Sequence, residues 1–500
     1  MAISVRLLLP EGDSRRWHKN LCDALLRDGA DVSAEWRPGP PRPLTLTLLE
    51  ELERLLLGPN RAKLLEPQQA WSETGRASER ADLVFDLTGR AVPEAGSIFP
   101  TFNGATGERA CDSMLLDGVF PRVELVQIID DQPLSLAAAS PAFENRHVFR
   151  CRREAVAGRL SLLVRSVTRS LSKSGEVLSH RRPFSSFESS AAVAPTAGAA
   201  SLLDTLALRA QSRLRRLLLH ENHWRIAWRR LADPADAVQA RLGWADATWR
   251  WLEDDRRRYY ADPFLFEKDG VVHLFCEEYP YATGKGVISW CPLDSAGAPL
   301  HSPQVVLEES CHLSYPLIFR HGGDIWMMPE SSGARDLRLY RADPFPQRWT
   351  LDRVLLEDFE IADATWFEHE RRFWLTGATR EETGSFWDCL SLFVGDSPLG
   401  PWRRCGEGPV LIDASAARPA GHLFHREGCL WRPAQDCTRG YGYGLTLCRI
   451  DRLDETGFRQ SVEQRLGPPP GVRAFGAHTL NVAAGFEIID VVGPARKALL

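Results

Sequence analysis

Apolar and polar positions follow a repeating pattern in the second half of the chain. Five stretches each combine a short apolar strand, a tight turn that usually contains glycine, and a second apolar strand, and they recur about every fifty residues. Two strands with room for two more fit a four-stranded propeller blade, because a closed ring of blades hides the strand edges. The stretches begin ADPFLFEKDG at 261, SYPLIFRHGG at 314, ADATWFEHER at 362, PAGHLFHREG at 419 and AHTLNVAAGF at 477. We therefore expect a five-bladed β-propeller over 258–500.

The first half has a different pattern, in which apolar strands alternate with amphipathic helices. Residues 4–10 predict a buried strand, and 14–27 predict a helix with Trp17, Leu21 and Leu25 on one stripe. A strand at 31–36, a helix at 46–57 and the apolar run 81–89 continue the alternation. Alternation of this kind favours a parallel, Rossmann-like sheet, so we expect an α/β domain over 1–182.

The stretch that joins the two halves has a composition of its own. Residues 183–202 are small, polar and nearly uncharged, which is typical of a linker. Residues 203–257 then predict connecting helices rich in leucine and arginine. A basic amphipathic helix of this type either touches a membrane surface or packs one side on the propeller.

Composition narrows the function classes. The net charge of -5 and the pI near 6.3 argue against a nucleic-acid partner. Neutralising phosphates requires an excess of basic residues that are gathered on one face of the protein. Eleven cysteines without CxxC spacing indicate reduced thiols, and the N-terminus lacks the features of a signal peptide. No apolar stretch approaches the roughly 20 residues that span a bilayer. We expect a cytoplasmic protein, with peripheral membrane contact left open.

Cofactor motifs are absent from the sequence. Neither GxGxxG after the first strand nor GxxxxGK[ST] occurs, and no Cys/His group has zinc-ligand spacing. We therefore expect no cofactor and no metal.

Aligning the five repeats predicts which side chains meet at the propeller axis. One register position starts each innermost strand, and a second lies fifteen residues further along the chain. At the first position, the polar and aromatic side chains are Asp262, Tyr315, Asp363 and His478. At the second position they are Glu277, Glu330 and Gln435, and Asp436 directly follows Gln435.

A cluster of carboxylates suits glycosidic-bond chemistry, which needs a general acid and a base or nucleophile. We expect Asp262 to be the base or nucleophile, Glu330 the acid, and Asp363 the group that tunes both. The alternative is a structural role, in which these carboxylates cap turns or pair with Arg341, Arg418 or Arg432.

The remaining candidates would bind substrate. Arg418 and Arg432, together with Gln435 and Asp436, have the hydrogen-bonding groups to hold sugar hydroxyls or a phosphate. Glu277, Tyr315, Arg341 and His478 complete the predicted ligand-binding set, in which tyrosine rings present apolar faces to a pyranose.

Several short motifs carry a resemblance to a known family. The runs YYADPFLFEKDG, HLSYPLIF, MPESSGARDLRLYRADPFP, DATWF, ARPAG, RPAQD and AHTLN occur in order over 258–482. They resemble the N-terminal domain of glucosamine inositolphosphorylceramide transferases. The resemblance implies the wider arabinanase and fructosidase propeller superfamily, in which three acidic residues perform hydrolysis or transglycosylation.

Two departures from these families matter. The acidic order in the hydrolases is aspartate, aspartate, glutamate, whereas here it is Asp262, Glu330, Asp363. The glycosyltransferase domain of the plant members lies outside the resemblance.

In the first half, SIFPTFNGATG resembles the catalytic Asn-x-His region of formyltransferases, but Asn103 is followed by Gly104 and Ala105. That resemblance implies a formyltransferase-like domain without its chemistry.

Together these patterns predict a protein that acts on a glycan, glycolipid or activated sugar, by glycosyl transfer or hydrolysis, in surface polysaccharide or glycolipid biosynthesis. The alternative is a non-catalytic carbohydrate-binding propeller attached to an inactive formyltransferase-like domain.

Overall fold

The computed structural model describes residues 2–57, 62–68, 71, 81–174, 207, 210–213, 215–382 and 384–498. The chain divides into two compact units, Met1–Gln211 with Glu382–Gly384, and Ser212–Glu381 with Ser385–Leu500. The predicted linker, 183–202, lies outside the described residues. None of the helices within the described ranges has both the length and the hydropathy to cross a bilayer.

The N-terminal unit is an α/β sheet flanked by helices. Its helices are α1 (Arg16–Arg27), α2 (Leu44–Leu57), α3 (Glu108–Leu116) and α4 (Phe149–Ser174), with a 3₁₀ turn at Lys63–Leu65. Its strands are β1 (Ser4–Glu11), β2 (Asp31–Pro38), β3 (Leu83–Asp86), β4 (Ile98–Phe102), β5 (Ala105–Thr106), β6 (Val123–Ile129) and β7 (Gln132–Ala139). The strand and helix positions predicted up to residue 89 are confirmed within a few residues.

The sheet is mixed, which corrects the expectation of a parallel sheet. Its order is β2-β1-β3-β4-β6-β7, with β5 paired to β4. The first four strands run parallel, but β6 is antiparallel to both β4 and β7. Asp130 and Asp131 have φ of 50° and 57°, the conformation of a two-residue hairpin turn. A connection this short can only join antiparallel strands.

The second unit consists of five sheets in the described residues, each a propeller blade. Blade 1 contains β10 (Arg258–Lys268), β11 (Val271–Pro280), β12 (Val287–Leu293) and β13 (Gln304–Leu307); blade 2 contains β14 (Ser314–His321), β15 (Asp324–Glu330), β16 (Leu337–Ala342) and β17 (Trp349–Leu356). Blade 3 contains β18 (Ile361–His369), β19 (Arg372–Thr379), β20 (Cys389–Gly395), β21 (Trp402–Arg404) and β22 (Leu411–Ile412). Blade 4 contains β23 (Phe424–Arg426), β24 (Cys429–Asp436), β25 (Gly444–Asp454) and β26 (Gly457–Leu466). The predicted five-bladed propeller is confirmed.

Blade 5 is built from both ends of the unit and closes the ring. Its order is β27-β28-β8-β9, where β27 (Gly476–Ala483) and β28 (Phe486–Arg496) come last in the chain, and β8 (Leu219–Arg230) and β9 (Arg250–Trp251) come first. The propeller therefore begins well before residue 258. Of the connecting helices predicted over 203–257, the described residues between 207 and 218 are helical, and the prediction is wrong for β8 and β9, from Leu219 onward. Only the short helix α5 (Val238–Arg241) and a 3₁₀ turn at Pro234–Asp236 follow β8 before β9. Residues 219–230 form a strand because they hydrogen-bond to β28, and this pairing buries Trp224, Ile226 and Trp228.

Five apolar clusters hold neighbouring blades together. One example joins Phe275 and Trp290 of blade 1 to Met327 and Tyr340 of blade 2. Corresponding clusters lie between blades 2 and 3, 3 and 4, 4 and 5, and 5 and 1. The core is thus distributed around the ring, which leaves the axis to polar side chains.

Candidate functional site

The innermost strands share an irregularity that turns polar side chains toward the axis. Pairing between the first two strands is interrupted just after Ala261, Ser314, Ala362 and Ala477 in blades 1, 2, 3 and 5. The residues that follow in blades 1 to 3, Asp262, Tyr315 and Asp363, have left-handed φ of 49°, 46° and 52°. Residues other than glycine seldom adopt this region, and such outliers concentrate at functional sites. The repeated bulge therefore marks the candidate site.

Asp262 belongs to a buried network with blade 5. One of its carboxylate oxygens accepts from Thr479 Oγ1 at 2.9 Å and the other from the Tyr315 backbone N–H at 3.2 Å. His478 places Nε2 3.5 Å from Asp262 and Nδ1 2.6 Å from Asp490. Burial opposes charging of His478, but the two carboxylates outweigh it and raise its pKa. Burial also raises the pKa of Asp262, with His478 opposing.

Asp363 and Glu330 share Arg418 of blade 4. Arg418 donates to Asp363 through Nε at 2.6 Å and Nη2 at 3.2 Å, and its Nη2 lies 3.7 Å from Glu330. Gln435 Nε2 donates to Asp363 at 2.8 Å. Asp363 and Glu330 also influence each other's pKa, because both acids face the same guanidinium. Burial and then the nearby acids raise the pKa of Asp363, whereas Arg418 and Ser332 outweigh burial and hold the pKa of Glu330 below its usual value.

Glu277 is the carboxyl with the fewest protein partners. Burial, followed by the charges of Asp262 and Glu330, raises its pKa well above the ordinary value. Its Oε1 is buried without a hydrogen-bond partner of good geometry among the described residues, although His312 Nε2 lies 3.3 Å away. Because His312 Nδ1 accepts from the Gly286 N–H, the neutral ring carries its proton on Nε2. Burial and the neighbouring acids thus favour the protonated form of Glu277, and His312 Nε2 is the donor that faces its Oε1.

Aromatic rings border the polar cluster. Trp224 stacks on His478 with centroids 3.8 Å apart, and Tyr441 stands edge-on to both rings. The Arg418 guanidinium lies over Tyr441 at 4.9 Å, and Tyr441 is 37% exposed. Tyr259 lies close enough to Glu277 for that carboxylate to raise its pKa after burial. Rings beside hydrogen-bonding groups suit a sugar, which has apolar and polar faces.

One group in the cluster has the donors for a metal ion. Single ligand atoms of Asp262, His478 and Asp490 lie within 4.8 Å of one another. However, Asp490 Oδ1 accepts from the backbone N–H groups of His478 and Thr479 and also faces Nδ1 of the His478 ring. Its Oδ2 accepts from the backbone N–H of Asp262. These bonds already occupy the carboxylate oxygens, so the donor set fits a proton network better than a cation.

The structure brings together most of the predicted residues, but not all of them. Tyr315 is fully buried, and its hydroxyl meets Thr365 and the Gly421 N–H, so its ring is core. Arg341 lies on β16 with Asp324 at 4.0 Å and is half exposed. Arg432 donates to the carbonyls of Ala416 and Ala417, just before Arg418, and so holds the loop that carries Arg418.

Asp436 likewise has a local role. It accepts from Thr438 N at 3.0 Å and from Arg465 Nη1 at 3.1 Å. Three of the expected ligand-binding residues, Arg341, Arg432 and Asp436, thus make contacts within their own blades instead of the contacts predicted from the alignment.

Sequence reasoning missed Asp490, Thr479, Tyr441 and Trp224. Asp490 had a detectable signal, since it is an acid within the apolar strand FEIIDVV, and such a residue is seldom buried without a partner. Trp224 had the alternation Trp-Arg-Ile-Ala-Trp, which indicates a strand. Tyr441 lies on a loop between β24 and β25 and had no positional signal.

Comparison with known proteins agrees with the motif resemblance over the propeller. A family model described as glucosamine inositolphosphorylceramide transferase 1, N-terminal, matches residues 254–469. Relatives named glucosamine inositolphosphorylceramide transferase 1 from Oryza sativa subsp. japonica and Arabidopsis thaliana are 34% and 33% identical over 205 residues. The match covers 40% of this chain and 27% of each relative, so the chain spans about a quarter of the relatives' length.

Solved structures similar to this chain include an α-L-arabinofuranosidase from Lactobacillus brevis. It has a TM-score of 0.34 and 17% identity, and the match covers 46% of this chain and 81% of that protein. The blade assignment rests on the sheet order of the chain itself.

Proposed function

We propose that the propeller binds a carbohydrate at its axis and acts on a glycosidic or sugar-phosphate bond of a glycan, glycolipid or activated sugar. The observation that carries this proposal is the convergence of Asp262, Glu330 and Asp363 from three successive blades. Arg418 pairs with Asp363 and Glu330, and both of these acids lie close enough to Asp262 for their charges to interact with it. Relatives named for a glucosamine transferase that uses a glycolipid support the same substrate class.

The pKa directions suggest roles for the carboxyls that differ from those expected from sequence alone. Burial and the neighbouring acids raise the pKa of the poorly partnered Glu277 carboxyl, so it is the better proton donor to a leaving oxygen. Asp262, beside His478, whose pKa is raised, accepts a proton from the incoming hydroxyl as that oxygen bonds to the anomeric carbon and the bond to the leaving group breaks. Glu330, whose pKa Arg418 holds below its usual value, then supplies negative charge opposite the oxocarbenium character of the sugar.

One observation favours a second candidate, a propeller that binds carbohydrate without reacting. Both Asp262 oxygens already accept from protein groups, Thr479 and the Tyr315 N–H. Catalysis requires at least one of these bonds to yield to the substrate.

The deciding experiment uses the full chain against aryl glycosides and nucleotide sugars, with calorimetry for binding and product release for turnover. Glu277→Gln and Asp262→Asn should each lower turnover at least a hundredfold while sugar binding persists. Glu278→Gln is the matched control, because Glu278 neighbours Glu277 but bonds to Arg258 and Ser289. Sugar binding without turnover in the parent chain would favour the second candidate, and absence of both would overturn the proposal.

Three finer expectations remain proposals. The first is that the N-terminal domain resembles a formyltransferase but lacks its chemistry. In agreement with this, the side chain of Asn103 is used within the protein, because its Oδ1 accepts from the Arg122 backbone N–H at 2.9 Å. A cytoplasmic location agrees with eleven cysteines that form no disulfide in the described part of the chain. A role in surface polysaccharide or glycolipid biosynthesis would follow from the proposed substrate class.

A further inference from the structure

A cavity in the N-terminal unit lies where its sheet changes winding direction. The chain passes from β1 through α1 to β2 on one side of β1, and then returns to place β3 on the other side. Ligands of open α/β sheets bind at this switch point, beyond the carboxyl ends of the strands. The cavity is lined by Pro10 and Asp13 after β1 and by Asp86, Leu87 and Gly89 at the end of β3.

The walls of the cavity are mainly apolar. Trp17 of α1, Phe99 and Phe102 of β4, and Val156 and Leu160 of α4 all line it. Its volume is about 80 Å³, several times the roughly 10–15 Å³ that one water needs. That volume suits a single small ring.

Charges around the cavity are balanced. Three arginines and three acids line it, and each arginine faces one of the acids: Arg15 with Asp13 at 2.6 Å, Arg90 with Asp86 at 3.2 Å, and Arg153 with Glu108. An anion would have to compete with these carboxylates for each guanidinium, so a neutral ligand fits better.

Two N–H donors on residues that line the cavity, one of them buried, have no acceptor in the described part of the chain. His18 is 2% exposed, and its Nδ1 accepts from the Arg15 backbone N–H at 3.1 Å, so the proton of the neutral ring is on Nε2. No described residue accepts from that Nε2. Arg15 Nε is likewise buried without a hydrogen-bond partner in the described part of the chain. Burial lowers the pKa of His18 to about 3, which keeps the ring neutral.

We propose that this cavity is a binding site for a small, neutral, planar ring that carries hydrogen-bond acceptors, such as a carbonyl or a ring nitrogen. The apolar walls cover the faces of the ring, and His18 Nε2 and Arg15 Nε donate to its edge. This site is independent of the propeller and of its proposed function.

The test uses uracil as a probe, because it is a neutral ring with two carbonyl acceptors, and orotate as its anionic counterpart. Binding to the full chain is followed by saturation-transfer NMR and calorimetry. We expect millimolar uracil binding that Ala157→Phe abolishes, because Ala157 lines the cavity and phenylalanine would fill it. His18→Leu should weaken binding about tenfold by removing one donor, whereas His18→Gln retains a donor and should recover much of the affinity.

Circular dichroism and thermal unfolding establish whether each variant is folded. If Ala157→Phe does not fold, the two His18 variants test the proposed site. The proposal is overturned if uracil does not bind, if it binds a folded Ala157→Phe unchanged, or if His18→Leu has no effect. Orotate that binds as tightly as uracil would overturn the assignment to a neutral ring.

Discussion

Replacing Arg418 with methionine tests whether the axial carboxyls depend on one guanidinium. Arg418 is 6% exposed and donates twice to Asp363, with Glu330 3.7 Å away. Removing one partner of a buried pair leaves an uncompensated charge and costs about 3–5 kcal/mol. We expect the free energy of unfolding of the propeller to fall by that amount at pH 8.

The pH dependence follows from the direction of the Asp363 shift. Its pKa is raised in the folded protein, and without Arg418 it should rise further because the opposing charge is gone. The folded variant then binds a proton that the unfolded chain releases above a pH of about 4. The stability of Arg418→Met should therefore increase as the pH falls from 8 toward 5, and the deficit relative to the parent should shrink.

Urea unfolding followed by tryptophan fluorescence measures both effects. The matched control is Arg341→Met, whose side chain is 49% exposed and should cost about 0–1 kcal/mol. Adding Asp363→Asn to Arg418→Met should restore part of the lost stability, because the buried charge is removed. Equal costs for the two arginines, or a double variant less stable than Arg418→Met, would refute the reasoning.

Three further outcomes are expected. Gly442→Ala should destabilise the propeller by about 1–3 kcal/mol and weaken ligand binding, because a Cβ there would lie 2.5 Å from Trp224; unchanged urea midpoints would contradict this. His478→Gln should cost most below pH about 6.5 and progressively less as the pH rises through the raised pKa of His478, a trend that pH-dependent unfolding measures. Trp228→Ala should cost about 3–5 kcal/mol, because Trp228 is 1% exposed and donates to the Gly297 carbonyl at 2.7 Å; a cost below 1 kcal/mol in the same assay would show that blade 5 does not need this contact.

The propeller was predictable from sequence because its repeats are local. Each innermost hairpin carries its own apolar alternation and turn, so the axial register placed Asp262, Asp363 and His478 at equivalent positions, each just after the point where strand pairing is interrupted. The same register could not show in which direction a side chain points. Arg432 was therefore predicted to bind ligand, whereas its side chain donates to the backbone carbonyls of Ala416 and Ala417.

Long-range pairing was the part that sequence could not supply. The sequence predicts helices across 203–257, yet β8 begins at Leu219 and forms a strand by pairing with β28. Likewise, the antiparallel β6 and β7 depended on a two-residue turn at Asp130 and Asp131, whose left-handed backbone was not recognised.

The composition of blade 5 from both ends of the unit has a consequence during synthesis. Roughly 250 residues separate β8 from its partner β28, so a ribosome adding 5–20 residues per second leaves β8 waiting on the order of 10–50 s. In that interval Trp224, Ile226 and Trp228 have no sheet to join. Arg225, Arg229 and Arg230 are interleaved with them, and charges placed this way discourage aggregation of an unpaired strand.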